Sequence, residues 1–182
     1  RQEISGINIV PATIDLSSAD IDLISNEKRS HLLHAALRKK QQDKQKYDYI
    51  LIDCPPSLNI LTVNAMVASH SVLIPLQSEF FALEGLSQLL LTVKEVRQTA
   101  NENLRVEGIV LTMFDGRNNL SKQVEADARS NLRELVFKTI IPRNVRVSEA
   151  PSYSMPVLTY DPSSKGSKAY MSLAKELLAN NS

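Results

Sequence analysis

Residues 47–57 of this 182-residue chain, YDYILIDCPPS, are the strongest indication of its fold class. Residues 49–52 are apolar without polar alternation, which is typical of a parallel-sheet strand that is covered on both faces. The two prolines that follow cannot continue a sheet ladder, so the strand is predicted to end at Asp53. Open α/β sheets bind ligands at that end, where a carboxylate can hold Mg²⁺ against nucleotide phosphates. The alternative is that Asp53 only caps the next turn.

Short apolar runs alternate with amphipathic segments along the whole chain, which predicts a parallel sheet with crossover helices. Strands are expected at residues 7–10, 49–52, 71–75 and 108–114, and residues 136–141 lead into another. Helices are expected after Ser17 or Ser18, at residues 61–68, along the apolar stripe of residues 86–96, after Asn119 and from about Ser167. We therefore predict a doubly wound α/β fold with a mostly parallel sheet and helices on both faces.

Length and composition fit one globular domain over residues 1–182, because 43% of the residues are hydrophobic and 23% are charged. The formal net charge is +1, so any nucleic-acid contact must come from a local basic patch. No apolar run approaches the ~20 residues of a membrane span. The single cysteine excludes an internal disulfide.

Three further motifs follow in order: PLQSEFFALEGL at residues 75–86, LTMFDGRNNL at residues 111–120 and IPRNVRVSEAP at residues 141–151. With the Walker B-like strand at residues 49–52, they resemble the ParA/Soj chromosome- and plasmid-partitioning ATPases, relatives of MinD in the deviant Walker class. The resemblance runs from about Ile7 to Leu178. It implies the fold of a P-loop NTPase.

The phosphate-binding loop of that family is absent from this sequence. Such a loop needs G-x-x-x-x-G-K-[ST], because backbone amides cradle the phosphates and a lysine reaches their charge. None of the five glycines precedes a lysine. The resemblance places this loop, the hydrolytic residues and interior strands N-terminal to everything seen here. We therefore expect the C-terminal part of a ParA-like ATPase domain, with no catalytic residue. Expressed alone, it should expose unpaired strand edges and be poorly stable or aggregation-prone.

The resemblance assigns nucleotide contacts to three residues. Asp53 is expected to organise Mg²⁺, mostly through water, while Pro142 and Asn144 are expected beside the adenine of ATP. An asparagine amide offers a donor and an acceptor, so it can match an adenine edge. Without the resemblance, residues 142–144 are an ordinary turn.

Arg117 and Arg146 match the DNA-contacting arginines of the family, and a guanidinium binds phosphate through paired hydrogen bonds. The alternative is that each arginine pairs with a nearby acid, such as Asp115 or Glu149. Phosphate contact without a base-reading helix predicts sequence-independent, salt-sensitive binding. Four further cations are expected to widen the patch: Lys122, Arg143, Lys165 and Lys168.

Residues 77–85 resemble a switch-like loop near the dimer interface of the family, and Phe80 and Phe81 are either exposed there or part of the core. Cys54 raises a nucleophile hypothesis, although a small residue beneath the sheet edge is the commoner case. Ser57 is predicted to cap the next helix.

The function that the resemblance implies is that of a partitioning ATPase, cytoplasmic and nucleoid-associated. It would bind ATP and Mg²⁺, form an ATP-dependent homodimer, bind DNA nonspecifically and respond to a ParB-like partner, without membrane contact. One alternative is a non-enzymatic DNA-binding or regulatory module derived from the same fold. A MinD-like positioning ATPase is disfavoured, because residues 177–182 offer little for a lipid surface.

Overall fold

A computed structural model describes residues 7–41 and 47–181. They form two compact units. The described part of the first unit comprises residues 7–41, 47–72 and 88–105, and that of the second comprises residues 73–87 and 106–181. The expectation of one domain over residues 1–182 stays a prediction.

Helices dominate the described chain. In chain order they are α1 Ala19–Asp22, α2 Leu32–Gln41, α3 Ile60–Ala68, α4 Ala82–Thr99, α5 Asn119–Leu132, α6 Val145–Glu149, α7 Val157–Tyr160 and α8 Lys165–Asn180. Short 3-10 helices are found at Ile14–Ser18, Arg133–Leu135 and Ala150–Tyr153, and the two strands are β1 Ser71–Gln77 and β2 Arg105–Thr112. None of these helices combines the length and hydrophobicity needed to span a bilayer.

The sheet is parallel, as predicted. Ser78, just after β1, donates its N–H to the carbonyl of Thr112 at the end of β2, with N and O 3.1 Å apart. The segment of residues 136–142 then runs along β2 through two parallel bridges, Ile109 to Val136 and Phe114 to Pro142. The α/β class is therefore confirmed.

A compact apolar core supports this sheet in the second unit. Its buried members are Val110, Phe137, Ile141 and Leu173, with Ala169 and Leu177 packed against them. Gly108, with φ 157°, makes this packing possible, because a Cβ atom there would overlap the ring of Phe137 and lie 3.1 Å from the carbonyl of Leu135. The core fixes the position of the loops that follow β2 and residue 142.

Two asparagines, the buried Asn64 and the partly buried Asn101, hold the first unit together. The Asn64 amide donates to the carbonyl of Arg29 at 2.7 Å and accepts from the N–H of Leu33 at 3.2 Å. These bonds connect α3 to α2 and to the segment that precedes α2. The Asn101 amide donates to the carbonyls of Met66 and Ser69 at 2.9 and 2.8 Å. Each amide thus provides hydrogen-bond partners for backbone groups near the ends of helices.

The strands predicted at residues 7–10 and 49–52 are not formed. Both stretches lack a hydrogen-bonded partner strand among the described residues, and Val10 and Leu51 are 87% and 85% exposed. Apolar composition predicts that a segment is suited to a covered strand, but a strand exists only when a neighbouring strand satisfies its backbone groups. The prediction that residues 49–52 are buried on both faces is therefore wrong for this chain.

The predicted cap of α3 is also wrong. The side-chain oxygen of Asn59, not that of Ser57, accepts the N–H groups of Leu61 and Thr62 at 3.1 and 3.3 Å. Ser57 contributes through its carbonyl, which accepts the hydroxyl of Thr62 at 2.6 Å. Serine and asparagine are both favoured at the N-cap position of a helix. Asn59 takes this position because α3 begins at Ile60.

Candidate nucleic-acid and nucleotide site

Arg117 lies on the loop that follows β2. Both Asp115 oxygens accept its guanidinium, with Nη2 2.8 Å from Oδ2 and Nε 3.0 Å from Oδ1. The side chain of Arg117 is still 93% exposed, so its outer edge faces solvent. This hydrogen bonding, aided by the backbone N–H of Arg117, lowers the pKa of Asp115 to about 2.

The loop before Arg117 carries local backbone strain. Met113, directly after β2, has a φ of 54°, a left-handed conformation that residues other than glycine rarely adopt. The Phe114 carbonyl then accepts the N–H of Arg143 at 2.9 Å, and the Phe114 N–H donates to the Ile141 carbonyl at 3.2 Å. These bonds hold the loop beside residues 141–143.

Pro142 and Asn144 lie where the segment parallel to β2 ends, as expected for the ligand edge of a sheet. Asn144 has a structural task, because its Oδ1 accepts the N–H of Arg146 at 3.1 Å and so caps α6. One acceptor of the amide is thus occupied by the backbone. The amide donors and the second lone pair are the groups that can address a nucleobase.

Gly166 lets α8 approach this cap closely. A Cβ atom on Gly166 would overlap the side chain of Val147 and lie 3.2 and 3.3 Å from Oδ1 and Cγ of Asn144. Because Gly166 has no side chain, the start of α8 backs the Asn144 amide directly. The position of Asn144 therefore depends on a residue distant in sequence.

Arg146 is held by two carboxylates. Its Nη1 lies 2.9 Å from Oε2 of Glu149, and its Nε lies 3.4 Å from Oδ2 of Asp161, while 52% of the side chain remains exposed. Hydrogen bonds from Ser163, with further support from Ser164 and Arg146, lower the pKa of Asp161. The guanidinium is thus oriented without being buried.

Two tyrosines complete this network, and no sequence motif predicted them. The Tyr160 hydroxyl donates to the same Glu149 oxygen at 3.3 Å. The Tyr153 ring stacks on Tyr160, with centroids 4.9 Å apart and planes at 27°. The pairing of Asp161 with Arg146 could not be predicted from the sequence either, because only the path of residues 150–161 brings Asp161 back to Arg146.

The four further cations predicted for the patch are exposed: Lys122, Arg143, Lys165 and Lys168. The aromatic pair of the switch-like loop is exposed as well, with the Phe80 and Phe81 rings edge to face and their centroids 5.1 Å apart. The structure thus places this pair outside the core.

Asp53 lies in the first unit and is exposed, at the end of the unpaired stretch. A carboxylate suits Mg²⁺ by its chemistry, but no group of three or more His, Cys, Asp and Glu side chains in the described chain forms a metal cluster. Desolvation raises the pKa of the neighbouring Cys54 thiol, and the charge of Asp53 raises it further. A raised pKa opposes the thiolate that a nucleophile requires.

The comparisons with known proteins agree on one group of relatives. A family model described as an AAA domain matches residues 1–106. The chain is 51% identical over 177 residues to the sporulation initiation inhibitor protein Soj of Bacillus subtilis. The aligned region covers 97% of this chain and 69% of Soj. It is 50% identical over 179 residues to the chromosome partitioning protein ParA of Caulobacter vibrioides, covering 98% and 67% of the two chains.

A solved structure shares the fold. The cobyrinic acid a,c-diamide synthase from Mycobacterium smegmatis, with bound ATP analog and magnesium, matches with a TM-score of 0.73 and 36% identity. The match covers 92% of this chain and 60% of the synthase. This chain thus spans about two thirds of the length of the curated relatives, and less of the synthase.

Proposed function

Because this chain belongs to the ParA/Soj family of chromosome-partitioning ATPases, we propose that it serves DNA segregation by binding ATP and, as an ATP-dependent homodimer, binding DNA without sequence preference. A ParB-like partner protein stimulates ATP hydrolysis and releases the DNA. The place of action is the nucleoid, in the cytoplasm. We assign ATP hydrolysis to no residue of this sequence.

One observation carries the DNA-binding part of this proposal. Arg117 and Arg146 follow two chain segments that run parallel, β2 and residues 136–142, whose carboxyl ends meet through the Phe114–Pro142 bridge. Both guanidinium groups are exposed and oriented by carboxylates. Such groups can exchange a carboxylate for a phosphate, which has similar hydrogen-bonding geometry.

The nucleotide part of the proposal involves Pro142 and Asn144 for the base and Asp53 for Mg²⁺. The Asn144 amide fits this role because it is partly exposed, firmly positioned and only partly used by the α6 cap. Bound Mg²⁺ would neutralise phosphate charge, and an acidic side chain such as Asp53 would hold it through water. In this proposal Asn144 has two roles, to cap α6 and to orient the base.

The direct test is DNA binding by the native protein with ATP and Mg²⁺ at low salt. We expect Arg146→Ala and Arg117→Ala each to weaken binding to a labelled duplex about tenfold or more, with ATP affinity unchanged. The loss should be the same for duplexes of unrelated sequence, because phosphates carry the contact. Arg97→Ala, which removes an exposed arginine of α4, is the matched control. Unchanged affinity in both patch variants would reject the proposal.

A further inference from the structure

Tyr153 presents an aromatic face to solvent. It ends the 3-10 helix Ala150–Tyr153, and 61% of the residue is exposed. One isolated exposed ring needs no explanation. Here, however, the ring is supported from behind by Tyr160, on which it stacks with centroids 4.9 Å apart. The exposed face is therefore held in a defined orientation.

The same network joins this ring to Arg146. Oε2 of Glu149 accepts both Nη1 of Arg146 at 2.9 Å and the hydroxyl of Tyr160 at 3.3 Å. The guanidinium and the tyrosine stack thus share one carboxylate oxygen. We call the surface formed by Arg146, Glu149, Tyr153 and Tyr160 the arginine–tyrosine patch.

We propose that Tyr153 stacks on an unpaired nucleobase, so that the arginine–tyrosine patch binds single-stranded DNA as well as duplex. The inference rests on the proposed DNA binding by Arg146 and adds a second kind of contact to it. A cation for the backbone combined with an aromatic platform for bases is the pairing that single-stranded nucleic acid requires. Duplex bases are already stacked and paired, so they offer no free face to Tyr153.

The two carboxylates that pair with Arg146 fit this arrangement. Glu149 and Asp161 orient the guanidinium of Arg146, and their charge keeps phosphates away from the hydroxyl of Tyr160. The DNA backbone therefore binds at the exposed edge of Arg146, and an unpaired base stacks on Tyr153. Because every base has an aromatic face, the contact adds no strict sequence preference.

The experiment measures fluorescence anisotropy of a labelled 30-nucleotide oligothymidylate and a labelled 30-base-pair duplex with the native protein. We expect Tyr153→Ala to weaken oligothymidylate binding about tenfold and to change duplex binding less than about twofold. Tyr153→Phe keeps the ring and should bind both probes like the wild type. Tyr170→Ala, which removes another exposed tyrosine of the same unit, is the control and should change neither affinity.

Tyrosine fluorescence gives an independent reading, because the chain contains no tryptophan. Oligothymidylate should quench this fluorescence in the wild type and quench it less in Tyr153→Ala. Unchanged oligothymidylate affinity in a folded Tyr153→Ala variant, or an equal loss for both probes, would overturn the inference. Failure of Arg146→Ala to weaken duplex binding would instead reject the phosphate contact, so the two failures are distinguishable.

Discussion

The Arg117 guanidinium and the Asp115 carboxylate are paired side to side, with Nη2 2.8 Å from Oδ2 and Nε 3.0 Å from Oδ1. The backbone N–H of Arg117 also donates to Oδ1 at 3.0 Å, so three donors of one residue converge on one carboxylate. The proposed DNA contact thus has its own counterion before any phosphate arrives. Binding there is an exchange of one anion for another.

This pairing predicts the titration of Asp115, whose pKa is lowered to about 2. A lowered folded-state pKa stabilises the fold above the ordinary value of 3.8, and that contribution is lost as the pH falls through about 2. In carboxyl-detected NMR, the Asp115 signal should therefore stay constant from pH 7 to pH 3 while ordinary exposed carboxylates move.

Arg117→Ala should raise this pKa toward the ordinary value without restoring it fully, because the backbone N–H of residue 117 still donates. A wild-type midpoint near 3.8 would show that the pair is absent in solution. Since Asp115 stays ionised from pH 5 to pH 8, DNA affinity in that range should not follow its titration.

Glu149→Gln should strengthen DNA binding. Glutamine keeps an acceptor for Arg146 and Tyr160 but removes the charge that competes with phosphate for the guanidinium. Exposed ion pairs contribute little, so the expected gain is only about two- to fivefold at low salt. Anisotropy titration with a duplex measures it.

Glu102→Gln, which makes the same change of charge outside the patch, separates this local effect from net charge. A Glu149→Gln variant that binds DNA more weakly than the control would show that the carboxylate serves the contact by orienting Arg146 and does not compete for it.

Gly166→Ala should destabilise the chain by about 1–3 kcal/mol, because the new Cβ atom must displace Val147 and press on Asn144. Gly85→Ala is the matched control, since no atom lies within 4 Å of the Cβ position on Gly85 in α4. That change should be neutral or stabilise by up to about 1 kcal/mol. Chemical denaturation of both variants makes the comparison, and equal effects would show that α8 does not pack closely on the α6 cap.

Local pattern predicted the helices α4 and α5 and part of β2, but not which of the other apolar runs form strands. The apolar stripe of residues 86–96 became α4, the stripe after Asn119 became α5, and the apolar run from Gly108 became part of β2. Side-chain spacing within one element is enough for such predictions, because it reports which face is covered.

Contacts between distant residues could not be predicted in the same way. Residues 49–52 have the composition of a covered strand, yet composition does not specify a pairing partner. Sequence proximity suggested the pairing of Arg146 with Glu149 as an alternative. In contrast, Asp161, Tyr153 and Tyr160 come close to Arg146 and Glu149 only through the path of the chain after α6. The close approach of Gly166 to Asn144 also joins residues that are distant in sequence, so local pattern could not predict it.

The α3 cap provides a test in which sequence and structure make opposite predictions. Asn59→Ala removes the oxygen that accepts the N–H groups of Leu61 and Thr62, so it should cost about 1 kcal/mol of folding free energy. Ser57→Ala keeps the carbonyl that accepts the Thr62 hydroxyl, so it should change stability by less than about 0.5 kcal/mol. Denaturant titration of the two variants decides between them. A larger loss in Ser57→Ala than in Asn59→Ala would restore Ser57 as the cap and place the start of α3 earlier than Ile60.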